Sequence, residues 1–425
     1  MIATLLIVLF FLLIIGAPLM MGLLISSLLT ITLYMGDIDP LWLTQQITGG
    51  VESFTLLAVP MFIFGADIMA TGQTSKRLLD LINSFVGHIK GGLAISTAAT
   101  CTFFGAISGS TQATVVAIGR PMYTKMVEKG YGVSETLALI INSANIALLI
   151  PPSVIMVMYG VVTGASVGEL FIAGIGPGLL VLLFFAIYNY FDAKRKGTPT
   201  DTKSTGRERL EAFKEAILPL GFPAIIIGGI YSGVFSPTEA AAVSAVYAMI
   251  LEVFIYKSIK IKDLGKVALS SGVVTSVVFV LVAAGNAFAW MFSLGRIPQM
   301  LTNTILGQDP SATKVLAVAS IFFFVACMFV DQLVAIIILA PMFIVPAANA
   351  GIDPIHLGII VTLQCAIGSA TPPFGCNIFT ASAVFKKPYI TVVRKTLPYF
   401  ILYLIISVLM IFFPQIALFS RNLLF

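Results

Sequence analysis

Apolar segments recur along almost the whole chain, from Ile2 to Phe413, and mostly short polar loops separate them. Each apolar segment is long enough to cross about 30 Å of hydrocarbon as an α-helix. This alternation predicts an all-α polytopic membrane protein. The first segment, residues 2–18, has no basic region before it and no small-residue cleavage site after it. It is therefore interpreted as a spanning helix rather than a signal peptide.

The longest polar stretch is residues 192–216, DAKRKGTPTDTKSTGRERLEAFKEA, close to the middle of the chain. Its composition predicts a cytoplasmic linker. Residues 201–216 are expected to end in a short amphipathic helix that lies on the membrane surface. The linker separates residues 1–200 from residues 217–425.

Prolines occur in the same order in these two halves. Their separations are nearly constant, from 219 to 221 residues, and the related sets are Pro18 with Pro237, Pro121 with Pro341, Pro151-Pro152 with Pro372-Pro373, and Pro177 with Pro398. This regularity predicts that residues 1–200 and 217–425 are two copies of one structural unit.

Basic loop residues indicate that the two copies are inverted. Loop 36–49 contains no Lys or Arg and its counterpart 257–266 contains four, whereas loop 73–90 contains three and its counterpart 293–310 contains one. Because Lys and Arg concentrate in cytoplasmic loops, equivalent loops are predicted on opposite sides of the membrane. Such inverted repeats are typical of secondary transporters. Both chain termini are predicted to be external.

The same loops predict one re-entrant hairpin in each copy. Loops 73–90 and 120–132 are both basic, so residues 91–119 are expected to enter and leave from the cytoplasmic side, with a tip near residues 105–111. The counterpart, residues 311–340, is expected to enter from outside with Asp331 near its tip. Each copy then has about five spanning helices and one hairpin.

Each copy also has a crossing that adjacent prolines interrupt, at residues 133–165 and at residues 355–384. Proline removes a backbone donor, and non-helical backbone is tolerated at membrane depth where it lines a cavity. Broken helices at matching positions of inverted repeats are typical of substrate and ion sites in secondary transporters. The alternative is a pair of proline kinks that serves helix packing only.

Polar residues around the breaks and hairpin tips have oxygen atoms that suit a hard cation such as Na⁺. An intramembrane carboxylate is costly and usually functional, which favours Asp331 as an ion-coupling residue. For the uncharged residues, the alternative is packing between helices through small polar side chains. The predicted Na⁺ ligands are Ser108, Ser110, Asn142 and Asn145 in the first copy and Asp331, Gln332, Gln364, Ser369 and Thr371 in the second.

Half-helix N-termini beyond the breaks present positive dipole ends that suit a substrate carboxylate. The Arg296 guanidinium also suits a carboxylate, but its place near the external interface equally favours a snorkelling or docking residue. Asp67 is interpreted as facing either an aqueous edge or a partner. The predicted substrate-binding residues are Ser110, Thr111, Pro151, Arg296, Pro372 and Asn377.

Three strings around these sites resemble the large membrane subunit of tripartite ATP-independent periplasmic (TRAP) transporters: IPPSVIMVMYGVVTGASVGELFIAGIGPGLL, GSATPPFGCNIF and GAISGSTQATVVAIGRPM. The resemblance covers essentially the whole chain. It implies a subunit of the bacterial inner membrane, with a scaffold and a mobile transport domain that works as an elevator. The external side, on which both termini are predicted, then corresponds to the periplasm.

The same resemblance implies Na⁺-driven uptake of an organic acid, with Na⁺ as coupling ion and no other cofactor. The overall similarity favours the sialic-acid (N-acetylneuraminate) branch, with C4-dicarboxylates as the next choice. The implied partners are a separate small four-helix membrane subunit and a periplasmic substrate-binding protein. Membrane lipid is expected around the spanning helices.

Composition argues against several other classes of protein. Hydrophobic residues make up 58% of the chain and charged residues only 10%, and the formal charge of +5 is spread over loops, so no nucleic acid is expected. The four cysteines show no metal or disulfide spacing. Neither HExxH nor a P-loop occurs, which argues against an enzyme and against ATP hydrolysis. A channel is the alternative function, because channels also use broken helices, but an inverted repeat in one chain fits alternating access better.

Overall fold

The computed structural model describes residues 1–36, 39, 41–307 and 310–424. Within these residues all regular secondary structure is helical. Seven of the described helices are long and apolar enough to cross a membrane, and a bent pair near the C-terminus makes an eighth if it counts as one span. The expectation of an all-α polytopic membrane protein is confirmed.

The described residues of the first half form α-helices joined by short turns. A 3₁₀ turn at Phe54–Leu57 precedes α4, and another at Asn145–Leu148 follows α9. The helices are α1 (Ile2–Ile14), α2 (Leu19–Tyr34), α3 (Leu41–Gly49), α4 (Ala58–Thr71), α5 (Thr74–Val86), α6 (Gly92–Ser108), α7 (Thr111–Ala117), α8 (Gly119–Glu128), α9 (Val133–Ala144), α10 (Val154–Thr163) and α11 (Val167–Lys196).

The second half is also helical, with π-helical turns at Ile250–Ile255 and Thr302–Leu306. Its helices are α12 (Gly206–Tyr231), α13 (Pro237–Met249), α14 (Ile261–Leu294), α15 (Ile297–Leu301), α16 (Ala312–Phe329), α17 (Gln332–Asn349), α18 (Pro354–Ser369), α19 (Cys376–Phe385), α20 (Tyr389–Val393), α21 (Leu397–Phe412) and α22 (Gln415–Leu424).

The polar middle of the chain differs from its sequence interpretation. Residues 206–216 do not form a separate surface helix, because they are the first three turns of the 26-residue helix α12. A capping box starts this helix: the Thr205 hydroxyl accepts a hydrogen bond from the Glu208 amide, and the Glu208 carboxylate accepts one from the Thr205 amide. Since α11 continues to Lys196, the loop between the helices is only residues 197–205.

Asp201 connects this loop to α5 and to the end of α8 through its side chain. Its carboxylate lies 2.8 Å from the Lys129 ammonium and accepts a hydrogen bond from the Asn83 amide. Burial raises the pKa of the Asp201 carboxyl, but Lys129, Asn83 and Lys125 together outweigh burial and leave the pKa below its usual value. The loop is therefore tied to α5 and α8 by a charged anchor.

The helices pack as two groups, which are in contact with each other. In the first group, α14 packs against α2, α3 and α4, while α13 packs against α4 and α12. In the second group, α16 packs against α17 and α18, while α11 packs against α6, α18 and α22. The groups meet where α14 and α15 pack against α17 and where α4 and α5 pack against α6.

Small residues bring each hairpin close to the broken crossing of the same copy. A Cβ added at Gly105 of α6 would lie 2.4 Å from the Ala147 Cβ, and one added at Gly368 of α18 would lie 2.5 Å from the Cys327 Cβ. Positions 147 and 368 have the same separation as Pro151 and Pro372. Equivalent positions in the two copies therefore make the same kind of close contact.

Candidate functional site

The first hairpin tip is a sharp turn between α6 and α7. Gly109 ends α6 with a φ of +57°, and its amide donates to the Gly105 carbonyl. A Cβ at Gly109 would also lie 2.9 Å from the Pro152 carbonyl oxygen. The Ser110 hydroxyl then caps α7. Glycine is needed here both for the left-handed backbone and for the close approach of the tip to the first break.

Both breaks contain the adjacent prolines, and the Pro151-Pro152 and Pro372-Pro373 peptide bonds are cis. The first break leaves helix at Leu149, and Ser153 caps the next helix, α10. The first break is buried, whereas Phe374 in the second break has 54% of its surface exposed. The two breaks are thus locally alike but differ in their surroundings.

A network of side-chain hydrogen bonds joins the first tip to both breaks. The Thr111 hydroxyl donates to the Asn377 carbonyl oxygen at 2.9 Å, and the Asn377 amide donates to Asn145 Oδ1 at 2.5 Å. The Ser369 hydroxyl donates to the same Oδ1 at 2.8 Å. All four side chains are buried. Sequence analysis assigned Asn145 and Ser369 to separate cation clusters, but the structure places them in one polar centre.

A further hydrogen bond in this centre joins equivalent positions of the two copies. The Asn145 side-chain amide donates to the Ala366 carbonyl at 2.6 Å, and these residues are 221 positions apart. Pro151 and Pro372 have the same separation. This hydrogen bond brings the segments that precede the two breaks into direct contact.

The second tip begins at the end of α16 and leads into α17. Asp331 caps α17, with its Oδ1 accepting a hydrogen bond from the Leu333 amide at 3.0 Å. The Gln332 side chain is buried, and its amide lies 3.8 Å from the Cys376 sulfur at the start of α19. The second tip therefore contacts the helix that follows the second break.

Both tips line one cavity of about 580 Å³. The start of α10 lies beside the tips, and α4 and α14 form the facing wall, so the cavity lies between the two helix groups. Its polar side chains from the tips are Ser108, Ser110, Thr111, Gln112, Asp331 and Gln332, and the α14 wall is formed by Val273, Val274, Val277, Val278 and Leu281. The arrangement offers hydroxyl, amide and carboxylate oxygens on one side and an apolar surface on the other.

Asp67 of α4 also lines this cavity, which sequence analysis left open. Its Oδ2 accepts a 2.6 Å hydrogen bond from the Ser271 hydroxyl of α14. A carboxylate late in an apolar spanning segment was the sequence signal for it. The partner on α14 could not be predicted, because 204 residues separate the two positions.

Six predicted site residues lie outside both the cavity wall and the polar centre. The Asn142 amide donates to the Ala138 carbonyl of its own helix at 2.8 Å, and Thr371 likewise donates to Ile367 at 2.6 Å. The Gln364 amide donates to the Ser407 hydroxyl of α21 at 2.6 Å. Arg296 is exposed beyond the end of α14 and does not line the cavity. Pro151 and Pro372 lie in the breaks behind the tips rather than on the cavity wall.

A second cavity of about 340 Å³ lies further along α14, between α3, α10 and α17. Its lining includes Gln46, Asn286 and Trp290, and the Asn286 amide donates to the Gln46 carbonyl at 2.7 Å. At this level α14 and α17 approach closely, since a Cβ at Gly285 would lie 2.2 Å from the Ile337 Cγ2. Two cavities thus follow one another along the junction of the helix groups.

Comparison with known proteins gives one consistent family. Residues 6–416 match the family described as tripartite ATP-independent periplasmic transporter, DctM component. The ectoine TRAP transporter large permease TeaC of Halomonas elongata is 51% identical over 97% of both chains. The ectoine/5-hydroxyectoine large permease UehC of Ruegeria pomeroyi is 51% identical over 100% of this chain and 99% of that protein.

Among solved structures, the YdaH transporter of Alcanivorax borkumensis has a similar fold. It superposes with a TM-score of 0.64 over 90% of each chain, at 15% sequence identity. At this identity the similarity concerns the fold alone, and it agrees with a polytopic helical membrane protein.

Proposed function

We propose a transport function from a premise that the comparisons establish: this chain belongs to the tripartite ATP-independent periplasmic transporters as their DctM component. The proposed function is to carry a small organic acid across the bacterial inner membrane together with Na⁺. The chain is a transporter permease and not an enzyme. The observation that carries the proposal is the single cavity to which both hairpin tips contribute.

The polar side chains of the two tips support Na⁺ as the coupling ion. Hydroxyl, amide and carboxylate oxygens are the ligands that hard cations prefer. Ser108 and Thr111 bring hydroxyl oxygens to the cavity, Asp331 brings a carboxylate, and Gln332 brings an amide oxygen. Asp331 supplies the negative charge that offsets a bound cation in a region of low dielectric constant.

The division into two helix groups supports an elevator mechanism. The helices around the tips and breaks pack with the second group, since α7 and α9 pack against α6 and α10 packs against α17. This group would move, whereas α4 and α14 of the first group, which form the facing wall of the cavity, would be the scaffold. A cavity between the groups, followed by a second one along α14, fits a pathway that opens to either side in turn. The distribution of Lys and Arg among the loops supports a periplasmic location for both chain termini.

The relatives favour ectoine over sialic acid as the substrate. Both relatives at 51% identity are named for ectoine, so the preference for sialic acid, which rested on overall similarity alone, finds no support there. Ectoine is a ring with one carboxylate and one amidinium group. The cavity of about 580 Å³ would hold ectoine, a C4-dicarboxylate or sialic acid, so size does not distinguish them.

Large permeases of this family work with a substrate-binding protein and a small membrane subunit. We propose that the small subunit is here a separate four-helix protein and that the binding protein is periplasmic. A test of the function therefore needs three proteins: the large subunit, the small subunit and the binding protein.

The test is uptake of radiolabelled ectoine into proteoliposomes that contain the large and small subunits. We expect saturable uptake that requires both an inward Na⁺ gradient and the binding protein. The matched controls replace the Na⁺ gradient by a K⁺ gradient and omit the binding protein. Non-saturating uptake that persists in both controls would contradict a coupled transporter and would indicate a channel.

A further inference from the structure

The charged side chains that line the cavity are all acidic. Its lining residues, all of which lie in the described part of the chain, include two carboxylates, Asp67 and Asp331, and no Lys, Arg or His. A substrate with only negative charges would meet both carboxylates without a compensating side chain. Because charges interact strongly where the dielectric constant is low, this lining favours a ligand with a positive group.

The two carboxylates lie on opposite walls and have different surroundings. Asp331 belongs to the second tip, beside the hydroxyl and amide groups proposed to hold Na⁺. Asp67 belongs to α4 on the facing wall, where the adjacent α14 residues are valines. A bound Na⁺ would therefore offset Asp331 and leave Asp67 as the uncompensated charge of the cavity.

Asp67 is held in place but only partly satisfied. The Ser271 hydroxyl is buried and donates to Oδ2 at 2.6 Å. Within the described residues, Oδ1 has no hydrogen-bond partner, and no cationic side chain forms a salt bridge with Asp67. A carboxylate kept in a spanning segment without a counter-ion is costly, and a cationic ligand would remove that cost.

We infer that Asp67, positioned by Ser271, determines substrate specificity by pairing with a cationic group of a zwitterionic substrate. This inference rests on the proposed function, because it takes Asp331 as the partner of Na⁺. The amidinium of ectoine has two N–H groups, one on either side of the ring methyl, and one of them can donate a charge-assisted hydrogen bond to the free Oδ1 of Asp67. The substrate class is thus a small zwitterion rather than a dianion.

The experiment compares three ligands of similar size and different charge. These are ectoine as the zwitterion, 6-oxopiperidine-2-carboxylate as a ring with a carboxylate and a neutral amide, and succinate as the dianion. Binding of each to the purified complex of the large and small subunits is measured by calorimetry in saturating Na⁺, and uptake is measured in proteoliposomes.

The variant is Asp67→Asn, which keeps an oxygen that can accept the Ser271 hydrogen bond and removes the charge. We expect about 10- to 100-fold weaker binding of ectoine, the range for losing a hydrogen bond to a charged group, with little change for the neutral-amide ligand. Ser271→Ala should reduce ectoine binding less, and this loss should be specific to ectoine. Asp80→Asn, which removes an exposed carboxylate of α5 outside the cavity, is the control for loss of a carboxylate and should bind all ligands as wild type does.

The outcomes separate the inference from the proposed function. Wild-type uptake of ectoine together with unchanged selectivity in Asp67→Asn would overturn the role of Asp67 and leave the transport function intact. A wild-type preference for succinate over ectoine would overturn both the ectoine assignment and the inference. Absence of uptake of all three ligands would overturn the proposed function and the inference with it.

Discussion

A methyl group added at Gly285 tests the close approach of α14 to α17. The added Cβ would lie 2.2 Å from Ile337 Cγ2 and 3.1 Å from Ile337 Cβ. The contacted methyl is bonded directly to Cβ, and a β-branched side chain in a helix has one strongly preferred χ1 rotamer. Ile337 therefore cannot turn away easily, and the two helices have to separate.

The expected magnitude follows from a comparison within the same helix. Gly272 of α14 has nothing within 4 Å of an added Cβ, so Gly272→Ala gains the helix propensity of alanine, about 1 kcal/mol, without a collision. Gly285→Ala gains the same propensity and adds overpacking, which costs about 1–3 kcal/mol. The difference in unfolding free energy between the two variants is therefore the cost of the collision. It corresponds to a change of about 5- to 150-fold in the equilibrium constant for unfolding.

Thermal unfolding of the purified complex measures the effect, with Gly272→Ala as the control. We expect a lower midpoint for Gly285→Ala, and we expect Ile337→Leu to restore it in the double variant, because leucine removes Cγ2 and keeps the volume of the side chain. A double-mutant cycle isolates the pairwise term. Equal midpoints for the two alanine variants, or no recovery with Ile337→Leu, would refute the close contact of α14 with α17.

Three further changes probe other parts of the structure. Asp331→Asn can still cap α17 but loses the charge, so we expect a raised half-saturating Na⁺ concentration for uptake; an unchanged value would remove Asp331 from the ion site. Asn145→Ala leaves the Asn377 amide without its acceptor, so we expect a destabilisation of about 1–3 kcal/mol in thermal unfolding, and a midpoint equal to wild type would contradict the hydrogen-bond network. Asp201→Asn should cost at most about 1 kcal/mol at neutral pH, because its pair with Lys129 is partly exposed. Since the pKa of Asp201 is lowered, the stabilisation is lost as the pH falls through that pKa, so the difference from wild type should shrink at acid pH and a constant difference would contradict the charged anchor.

The membrane fold and the positions of the breaks were accessible from the sequence because they depend on local signals. Long apolar segments, and adjacent prolines among polar residues, are visible without any knowledge of contacts. The start of α12 was accessible in the same way, since Thr205 and Glu208 have the spacing of a capping box. The expectation of a separate surface helix was wrong because the helix that starts there does not end at residue 216 but continues to Tyr231.

The pairing of side chains was not accessible, because it depends on contacts between distant parts of the chain. Asn145 and Asn377 are 232 residues apart, and nothing in either segment indicates that they share a hydrogen bond. Asn142 and Gln364 have the same chemistry as the side chains of the polar centre, yet they donate to the Ala138 carbonyl and to the Ser407 hydroxyl instead. Residue type and spacing predicted which segments carry the candidate residues but not which of their side chains contact one another.

The contact between Asn145 and Ala366 limits which side chains these two positions accept. The Asn145 amide donates to the Ala366 carbonyl, and its Oδ1 accepts from Ser369 and Asn377. An asparagine at position 366 would bring a second amide into a buried centre, beside one whose donor and acceptor already have partners. The pair is therefore suited to one amide and one small apolar side chain, and not to two amides.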